Sequence, residues 1–283
     1  MRYVMAFLIL LLAIPLFAQD DVPGGGTGEF SYVSTDETQL LLYNMLTAET
    51  EVLFEVESGT ILAPVWSMDG TRLVYRLSSS GNDGIYIYDV MTDETTQITE
   101  SGNDYGAVFS PDGQSLAYSS PDHIVVYDLI IDVAKDITLP DEGSYYSPIY
   151  APDGHSMLFV GVSSDGRPLV QYRDGEVELF FDEVEVAWPQ YDFAGERLVF
   201  IGRPNGVTGE SWAIYVLDEN ELTQITEDGG EFTRPSWSPD GEYLLYQRGG
   251  EIILNELNGD GEIFPGLEGK NPAWRPLLEE EDE

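Results

Sequence analysis

The chain of 283 residues is strongly acidic, with 52 Asp and Glu against 12 Lys and Arg and a formal net charge of -40 at pH 7. Because a field of this sign repels phosphate backbones and anionic lipids, we expect neither nucleic acid nor a membrane surface as a partner. The sequence contains no cysteine, which excludes disulfides and a lipidated N-terminal cysteine. Its 42% hydrophobic content predicts a folded chain rather than a disordered one.

The N-terminus has the pattern of a secretory signal peptide. A short basic start precedes an apolar stretch over residues 4–17, and Ala18 offers a small residue for cleavage. The stretch is shorter than the roughly 20 apolar residues of a membrane span and contains Pro15, which disfavours the alternative of a membrane anchor. We expect removal of residues 1–18, no membrane insertion afterwards, and a periplasmic or extracellular location. Residues 19–28, rich in Gly, predict a flexible linker.

From residue 29 onward one unit recurs five times: an aromatic residue ends a strand, a tight turn closes on Gly, and a second apolar strand follows. The aromatic heads are Trp66, Phe109, Tyr150, Tyr191 and Trp237. In the clearest copies the turn reads Ser-Pro-Asp-Gly, in which Ser can accept a backbone N–H, Pro presets φ and Gly adopts a left-handed φ. The turn glycines are 43, 41, 41 and 46 residues apart, a spacing that indicates a repeat architecture.

Each turn is followed by three apolar segments of strand length, which predicts one four-stranded antiparallel sheet per repeat. Three strand-like segments between residues 30 and 54 lack a first strand, whereas the segment around Trp274 lacks a sheet of its own. Pairing of this C-terminal strand with the N-terminal sheet would complete a sixth blade and close the ring. The sequence therefore predicts an all-β fold, a six-bladed β-propeller over residues 29–276. Residues 277–283 are expected to form a disordered acidic tail.

These repeats resemble the WD40-like, Pro-Asp-Gly-centred repeats of the TolB propeller family. The segments that carry the resemblance are Trp66-Ser-Met-Asp-Gly, Phe109-Ser-Pro-Asp-Gly, Tyr150-Ala-Pro-Asp-Gly and Trp237-Ser-Pro-Asp-Gly, with Tyr191-Asp-Phe-Ala-Gly as a degenerate copy. The resemblance implies the propeller fold and a tendency to bind proteins, although the motif residues themselves build turns and cores rather than sites. TolB carries an α/β domain before its propeller where this sequence has the linker, so we do not expect the Tol–Pal role itself.

The sequence lacks the motifs of the common enzyme sites. A serine hydrolase needs a Gly-x-Ser-x-Gly elbow, and the nearest segments, at Ser156 and Ser211, lack the closing Gly. His123 and His155 are the only histidines and fall in different repeats, so a zinc or iron site is not expected. We assign no catalytic, cofactor-binding or metal-binding residues, while acidic loops such as residues 258–262 leave calcium binding open.

In a propeller the first strand of each blade lines the central channel, and the residues just before its aromatic head ring one mouth. At these positions the six repeats differ from one another, although a nearby Pro recurs in five of them. The candidate binding residues are Tyr105, Tyr146, Trp188, Arg234, Lys270 and Asn271. In so acidic a chain Arg234 and Lys270 form a scarce positive spot, and we expect Arg234 to be largely solvated. The alternative is that both cations only neutralise neighbouring carboxylates.

The sequence thus predicts a non-catalytic exported propeller, without a cofactor, that binds a protein or peptide partner at its channel mouth. Two alternatives remain. One is a propeller-fold lyase or lactonase, which elemental analysis for bound metal would separate from a binding protein; the other is a structural component of the cell envelope. The sequence indicates neither the partner nor the oligomeric state.

Overall fold

The computed structural model describes residues 28–121, 123–137, 144–162, 166–206, 212–227, 234–259, 261–263 and 265–276. The expected signal peptide, nearly all of the expected linker and the acidic tail lie outside these residues. Over the described part the chain forms 24 β-strands, and no helix there is long and apolar enough to cross a membrane.

The strands form six antiparallel sheets of four strands each, which are the blades of a propeller. Blade 1 contains β1 (Glu29–Val33), β2 (Gln39–Asn44), β3 (Glu49–Glu55) and β24 (Lys270–Trp274). Blade 2 contains β4 (Thr60–Trp66), β5 (Arg72–Ser78), β6 (Gly84–Asp89) and β7 (Glu94–Gln97). Blade 3 contains β8 (Tyr105–Phe109), β9 (Ser115–Ser120), β10 (His123–Asp128) and β11 (Val133–Asp136).

The remaining strands follow the same order from the channel outward. Blade 4 contains β12 (Ser144–Tyr150), β13 (Ser156–Val162), β14 (Leu169–Arg173) and β15 (Glu176–Phe181). Blade 5 contains β16 (Val184–Tyr191), β17 (Arg197–Pro204), β18 (Ala213–Asp218) and β19 (Glu221–Gln224). Blade 6 contains β20 (Ser236–Trp237), β21 (Tyr243–Arg248), β22 (Glu251–Glu256) and β23 (Gly261–Ile263). The prediction of an all-β, six-bladed propeller is confirmed.

Blade 1 is assembled from both ends of the described chain. β24 pairs antiparallel with β1, which places Phe30 opposite Trp274 and Ser31 opposite Ala273. The Trp274 side chain is buried, and its ring lies 6.3 Å from the Phe30 ring. The C-terminal strand therefore supplies the inner strand of blade 1, as the two incomplete ends of the sequence predict.

The recurring turn folds as its residues predict. In the copy of blade 3, Ser110 Oγ accepts the backbone N–H of Ser115 at 2.9 Å and donates to Asp112 Oδ1 at 2.6 Å. Gly113 has a φ of 65°, which side chains disfavour, and its N–H donates to the Ser110 carbonyl at 2.8 Å. The hydrogen bond from Ser110 is the main reason that the pKa of Asp112 is lowered.

The degenerate turn of blade 5 keeps the same shape because Asp192 replaces the serine. Its Oδ1 accepts the backbone N–H groups of Glu196 at 2.8 Å and Arg197 at 3.2 Å. Gly195 retains the left-handed backbone, with φ of 76°. The Asp192 carboxylate therefore accepts the backbone hydrogen bond that the serine hydroxyl accepts in the turns that begin with Ser. The turn keeps its shape although the usual Pro and Asp are absent.

The hydrophobic core lies between the blades as well as within them. Val74 and Ile85 of blade 2, for example, form one buried cluster with Phe109 and Leu116 of blade 3. The outer strands β7 and β11 are exposed along their whole length. Each blade thus depends on its neighbours for burial, and the inner strands are held around the channel.

Three arginines reinforce the contacts between blades at the turn end of the inner strands. The Arg72 guanidinium lies over the Phe109 ring of the next blade, 5.0 Å from its centroid, and Nη2 donates to the Gly113 carbonyl at 2.8 Å. The other two examples are Arg197 with Trp237 and Gly241, and Arg275 with Trp66 and Gly70. We call these contacts the arginine latches. Each joins the head and the turn of one blade to the blade before it.

Candidate functional site

Within the described ranges, five inner strands contain a β-bulge at the same place. In β4, Leu62 lies opposite Arg76 and Val65 opposite Val74, so the inner strand accommodates one extra residue. The same irregularity occurs in β8, β12, β16 and β24. Bulges re-aim side chains and are frequent next to functional sites. The position three residues before each aromatic head, which the sequence marks as a channel mouth, is therefore a distinct structural position.

The residue at each bulge has a left-handed backbone. These residues are Ala63, Gly106, Ser147, Trp188 and Asn271, with φ between 47° and 66°. Gly adopts this conformation readily and Asn more readily than most residues, whereas a bulky side chain there is strained. Trp188 nevertheless occupies it, with φ of 49°, and is 43% exposed. Blade 5 thus presents a large, partly exposed aromatic side chain on a strained backbone.

Two tyrosines precede their bulges by one residue. Tyr105 is 37% exposed and presents its ring to solvent, although partial burial still raises the pKa of its hydroxyl. Tyr146 is half-buried and packs against the core cluster that blades 4 and 5 share. Burial is the main cause that raises the pKa of the Tyr146 hydroxyl. Tyr105 therefore offers more contact surface to a partner than Tyr146 does.

Lys270 is engaged within the protein. Its Nζ lies 2.5 Å from Oε1 of Glu37, which belongs to the loop between β1 and β2. The alternative interpretation from the sequence, a cation that neutralises a neighbouring carboxylate, therefore describes Lys270. A ligand would have to compete with Glu37 for this ammonium group.

The inner strands enclose a cavity of about 140 Å³ in the channel. Its walls are formed by the aromatic heads, the prolines two residues before them, and the turn residues two positions after them. Representative wall residues are Pro64, Trp66, Phe109, Tyr150, Tyr191, Pro235, Pro272 and Trp274. Of the sequence candidates, Arg234 and Asn271 line this cavity, whereas the other four do not. The structure therefore separates the candidates into two that line the cavity and four that do not.

Arg234 differs from the sequence prediction. Its guanidinium is enclosed by protein, although the residue keeps partial exposure towards the cavity that it lines. Burial lowers the pKa of Arg234 to about 10, so the group stays protonated at neutral pH. The prediction of a largely solvated side chain is wrong, because Arg234 lies inside the channel wall rather than on its rim. It forms no ion pair with any residue that the structure describes.

Two further residues of the cavity were not found by sequence reasoning. Trp274 and Gln190 line the same cavity, and Nε1 of Trp274 and Oε1 of Gln190 are buried with no hydrogen-bond partner among the described residues. Both stand at positions that the repeat explains as parts of an inner strand, so the sequence carried no signal for a second role. They place one further unpaired donor and one unpaired acceptor in the wall of the cavity that Arg234 lines.

No group of three or more His, Cys, Asp or Glu side chains among the described residues is placed to hold a metal ion. The acidic side chains near the site are instead paired with cations. Glu185, for example, accepts from Arg203 Nη2 at 2.8 Å and lies 3.9 Å from Nε of Arg167. What the arrangement offers chemically is aromatic surface at the mouth and a buried cation in the channel.

Comparison with known proteins relates the chain to one group of propellers. A family model described as the TolB beta propeller domain matches residues 26–164. The Tol-Pal system protein TolB of Francisella tularensis subsp. mediasiatica is 29% identical over 249 residues, which cover 80% of this chain and 56% of that protein. The corresponding protein of Alcanivorax borkumensis is 31% identical over 104 residues, 34% of this chain and 24% of that protein. The chain thus spans little more than half the length of the Francisella relative.

Solved structures share the fold. The crystal structure of TolB from Acinetobacter baumannii superposes with a TM-score of 0.73 at 21% identity, covering 89% of this chain and 68% of that one. An oligogalacturonate lyase in complex with manganese gives a TM-score of 0.54 at 15% identity, covering 84% of this chain and 74% of that one. At these identities the likenesses show the propeller fold alone.

Proposed function

We propose that this chain, a TolB-like six-bladed β-propeller, is a non-catalytic exported protein that binds a protein or peptide partner at the mouth of its channel. The observation that carries the proposal is Trp188, which is 43% exposed on a backbone with φ of 49°. A non-Gly residue in this conformation costs about 1–3 kcal/mol, and much of the apolar surface of Trp188 remains uncovered in the free protein. A partner that covers the ring would supply the missing burial.

The residue types at the mouth support protein binding over other functions. Trp and Tyr are enriched among the residues that dominate binding energy, and Trp188 and Tyr105 lie at corresponding parts of the inner strands of blades 5 and 3. The bulge occurs in five blades and is therefore part of the repeat. A Trp at this position occurs in blade 5 alone among these five, so the repeat does not explain it. Ala63 occupies the same position in blade 2 with nearly the same φ of 47°.

The relatives support a binding role of the same general kind. The Francisella and Alcanivorax proteins are named as Tol-Pal system proteins. Because this chain spans 56% of the Francisella protein, we extend to it the binding tendency of the propeller and not that protein's partners. The non-catalytic part of the proposal rests on the sequence, which has two His, no Cys and no nucleophile elbow.

A capture experiment tests the proposal. Immobilised mature protein is incubated with native envelope extract and with culture supernatant, and retained proteins are identified and then purified. We expect Trp188→Ala to weaken binding of the purified partner about 10-fold or more, roughly 1.4 kcal/mol. The matched control is Phe180→Ala, since Phe180 is 42% exposed on the outer strand β15. Equal binding by wild type and Trp188→Ala, or equal losses in both variants, would contradict a mouth site.

The exported location and the absence of catalysis have their own tests. N-terminal sequencing of the protein from the producing cells should begin at Gln19, whereas an uncut N-terminus would contradict export by signal cleavage. The second candidate function is a propeller-fold lyase, since an oligogalacturonate lyase has a similar fold. Stoichiometric metal in elemental analysis of the purified protein would move the assignment towards that enzyme.

A further inference from the structure

Among the described residues, three that line the channel cavity each carry a buried polar atom without a hydrogen-bond partner. These atoms are Nε of Arg234, Nε1 of Trp274 and Oε1 of Gln190. Buried polar atoms are nearly always paired in native proteins, so three unpaired ones around a single cavity require an explanation. Two of them are donors and one is an acceptor.

The corresponding groups elsewhere in the ring are paired. The Trp66 indole Nε1 donates to Ser31 Oγ at 3.0 Å, and the Trp237 indole Nε1 donates to the Gln190 carbonyl at 3.3 Å. Both are head residues in the same structural position as Trp274. The free indole of Trp274 is therefore a departure from the repeat rather than a property of it.

The charge of Arg234 also has no acidic partner within the described part of the chain. Eight of the eleven described Lys and Arg side chains lie within 4.0 Å of a carboxylate, and Arg234, Arg76 and Lys135 do not. Lys135 is exposed and Arg76 donates to the Gly102 carbonyl, whereas the Arg234 guanidinium is enclosed by protein and donates to no carbonyl among the described residues. In a chain with 52 Asp and Glu, a buried arginine without an acidic partner is unexpected. An unpaired charge in the interior is costly, and folding alone would favour an acidic neighbour or an apolar residue here.

We propose that the channel cavity binds a peptide carboxylate, with Arg234 and Trp274 donating to the carboxylate oxygens and Gln190 accepting a peptide N–H. This inference rests on the proposed function and names the chemical group of the partner that enters the channel. Trp188 and Tyr105 at the mouth would then cover the rest of the bound segment.

A carboxylate fits the cavity better than other anions do. One guanidinium matches the single charge and the two oxygens of a carboxylate, whereas a phosphate would bring a second charge that no other cation at the cavity neutralises. Aromatic and proline side chains form much of the wall, and such apolar surroundings strengthen an ion pair. The acceptor of Gln190 calls for a donor on the ligand, and a peptide N–H next to the carboxylate supplies one.

The direct test measures binding of four defined probes to the mature protein. They are acetyl-Ala-Ala with a free carboxyl terminus, the same peptide amidated, N-acetyl-Glu N-methylamide, and sodium acetate. Binding is followed by calorimetry and by the indole N–H signals of the tryptophans, with the Trp274 signal assigned through Trp274→Phe. Binding of the first probe identifies a C-terminal carboxylate as the source, and binding of the third an acidic side chain. The amidated peptide should not bind.

Variants locate the site. We expect Arg234→Met to weaken binding of the carboxylate probe about 30-fold or more, and Trp274→Phe about 10-fold, because the first removes a buried charge and the second a single donor. Arg173→Met is the control, since Arg173 is exposed and pairs with Asp153. The proposal is wrong if no probe binds, if the amidated peptide binds equally well, if acetate binds as tightly as the peptides, or if Arg234→Met leaves binding unchanged.

Stability separates a binding arginine from a structural one. Arg234→Met should raise the melting temperature by about 2–4 °C, because it removes an unpaired buried charge, whereas loss of a structural arginine lowers it. If the captured partner depends on Trp188 but no carboxylate probe binds, this inference fails and the proposed function stands. If the probes bind through Arg234 while no partner is captured, the carboxylate site stands and the proposed function fails.

Discussion

Replacing Trp274 with Ala tests the closure of the ring. The side chain is 2% exposed and packs in one cluster with Phe30, Met45, Leu245 and Leu254. These residues come from blade 1 and from blade 6, so the substitution weakens both the composite blade and its contact with the last repeat. Among the aromatic head residues, we expect substitution of Trp274 by Ala to cause the largest loss of stability.

The magnitude follows from the buried area. A Trp buries about 150–250 Å², and at roughly 25 cal/mol per Å² its removal costs about 4–6 kcal/mol. Large-to-small substitutions of buried aromatics typically cost about 3–5 kcal/mol. Against a total stability of about 5–15 kcal/mol, such a loss removes a large part of the margin. The melting temperature should fall by roughly 10 °C.

The assay is thermal and urea unfolding of the mature protein, followed by circular dichroism. Trp188→Ala serves as the matched control, because the same side chain is removed from a position that is 43% exposed, and Ala63 shows that Ala fits this backbone. The control should change the free energy of unfolding by about 0.5 kcal/mol or less. Equal melting temperatures for Trp274→Ala and Trp188→Ala would refute closure through the C-terminal strand.

Three other predictions concern the fold. Arg72→Ala should destabilise by about 1–2 kcal/mol, because it removes a latch made of one cation–π contact and one hydrogen bond, and urea unfolding against Arg173→Ala measures it. Burial raises the pKa of Tyr75 and Tyr118 to about 12. The stability that the two neutral side chains contribute to the folded state is therefore complete below the unfolded pKa of about 10 and is lost as pH rises through about 12. Tyrosinate absorbance and circular dichroism should change together above about pH 10. A chelator should shift the melting temperature by no more than about 1 °C, since the turns are held by their own side chains, and a large fall would indicate calcium in the acidic loops.

Local chemistry explains what could be predicted from the sequence. The turn at Ser110 and Gly113 is stabilised by bonds among residues at most five positions apart, so its sequence contains nearly all the information about its shape. Repetition of that turn at regular spacing then predicted the number of blades. The composite first blade could be predicted by counting strands. The N-terminal segments supply three strands, and the segment that ends at Trp274 supplies the missing first strand.

Contacts between blades explain what could not be predicted. Arg72 reaches Gly113, which is 41 residues away, and the position that it occupies is not Arg in every repeat. The burial of Arg234 depends on how six inner strands converge, and the pairing of Lys270 depends on Glu37 at the other end of the chain. The sequence predicted which inner-strand positions differ between blades but not which of their side chains face the cavity.

Hydrogen–deuterium exchange of the protein with and without its captured partner tests the central claim most directly. Binding at the channel mouth should slow exchange in β8, β12 and β16, near Tyr105, Tyr146 and Trp188, and leave the outer strands β7, β11 and β15 unchanged. Protection confined to the outer strands, with unchanged exchange around Trp188, would place the partner on the blade edges and contradict a mouth site.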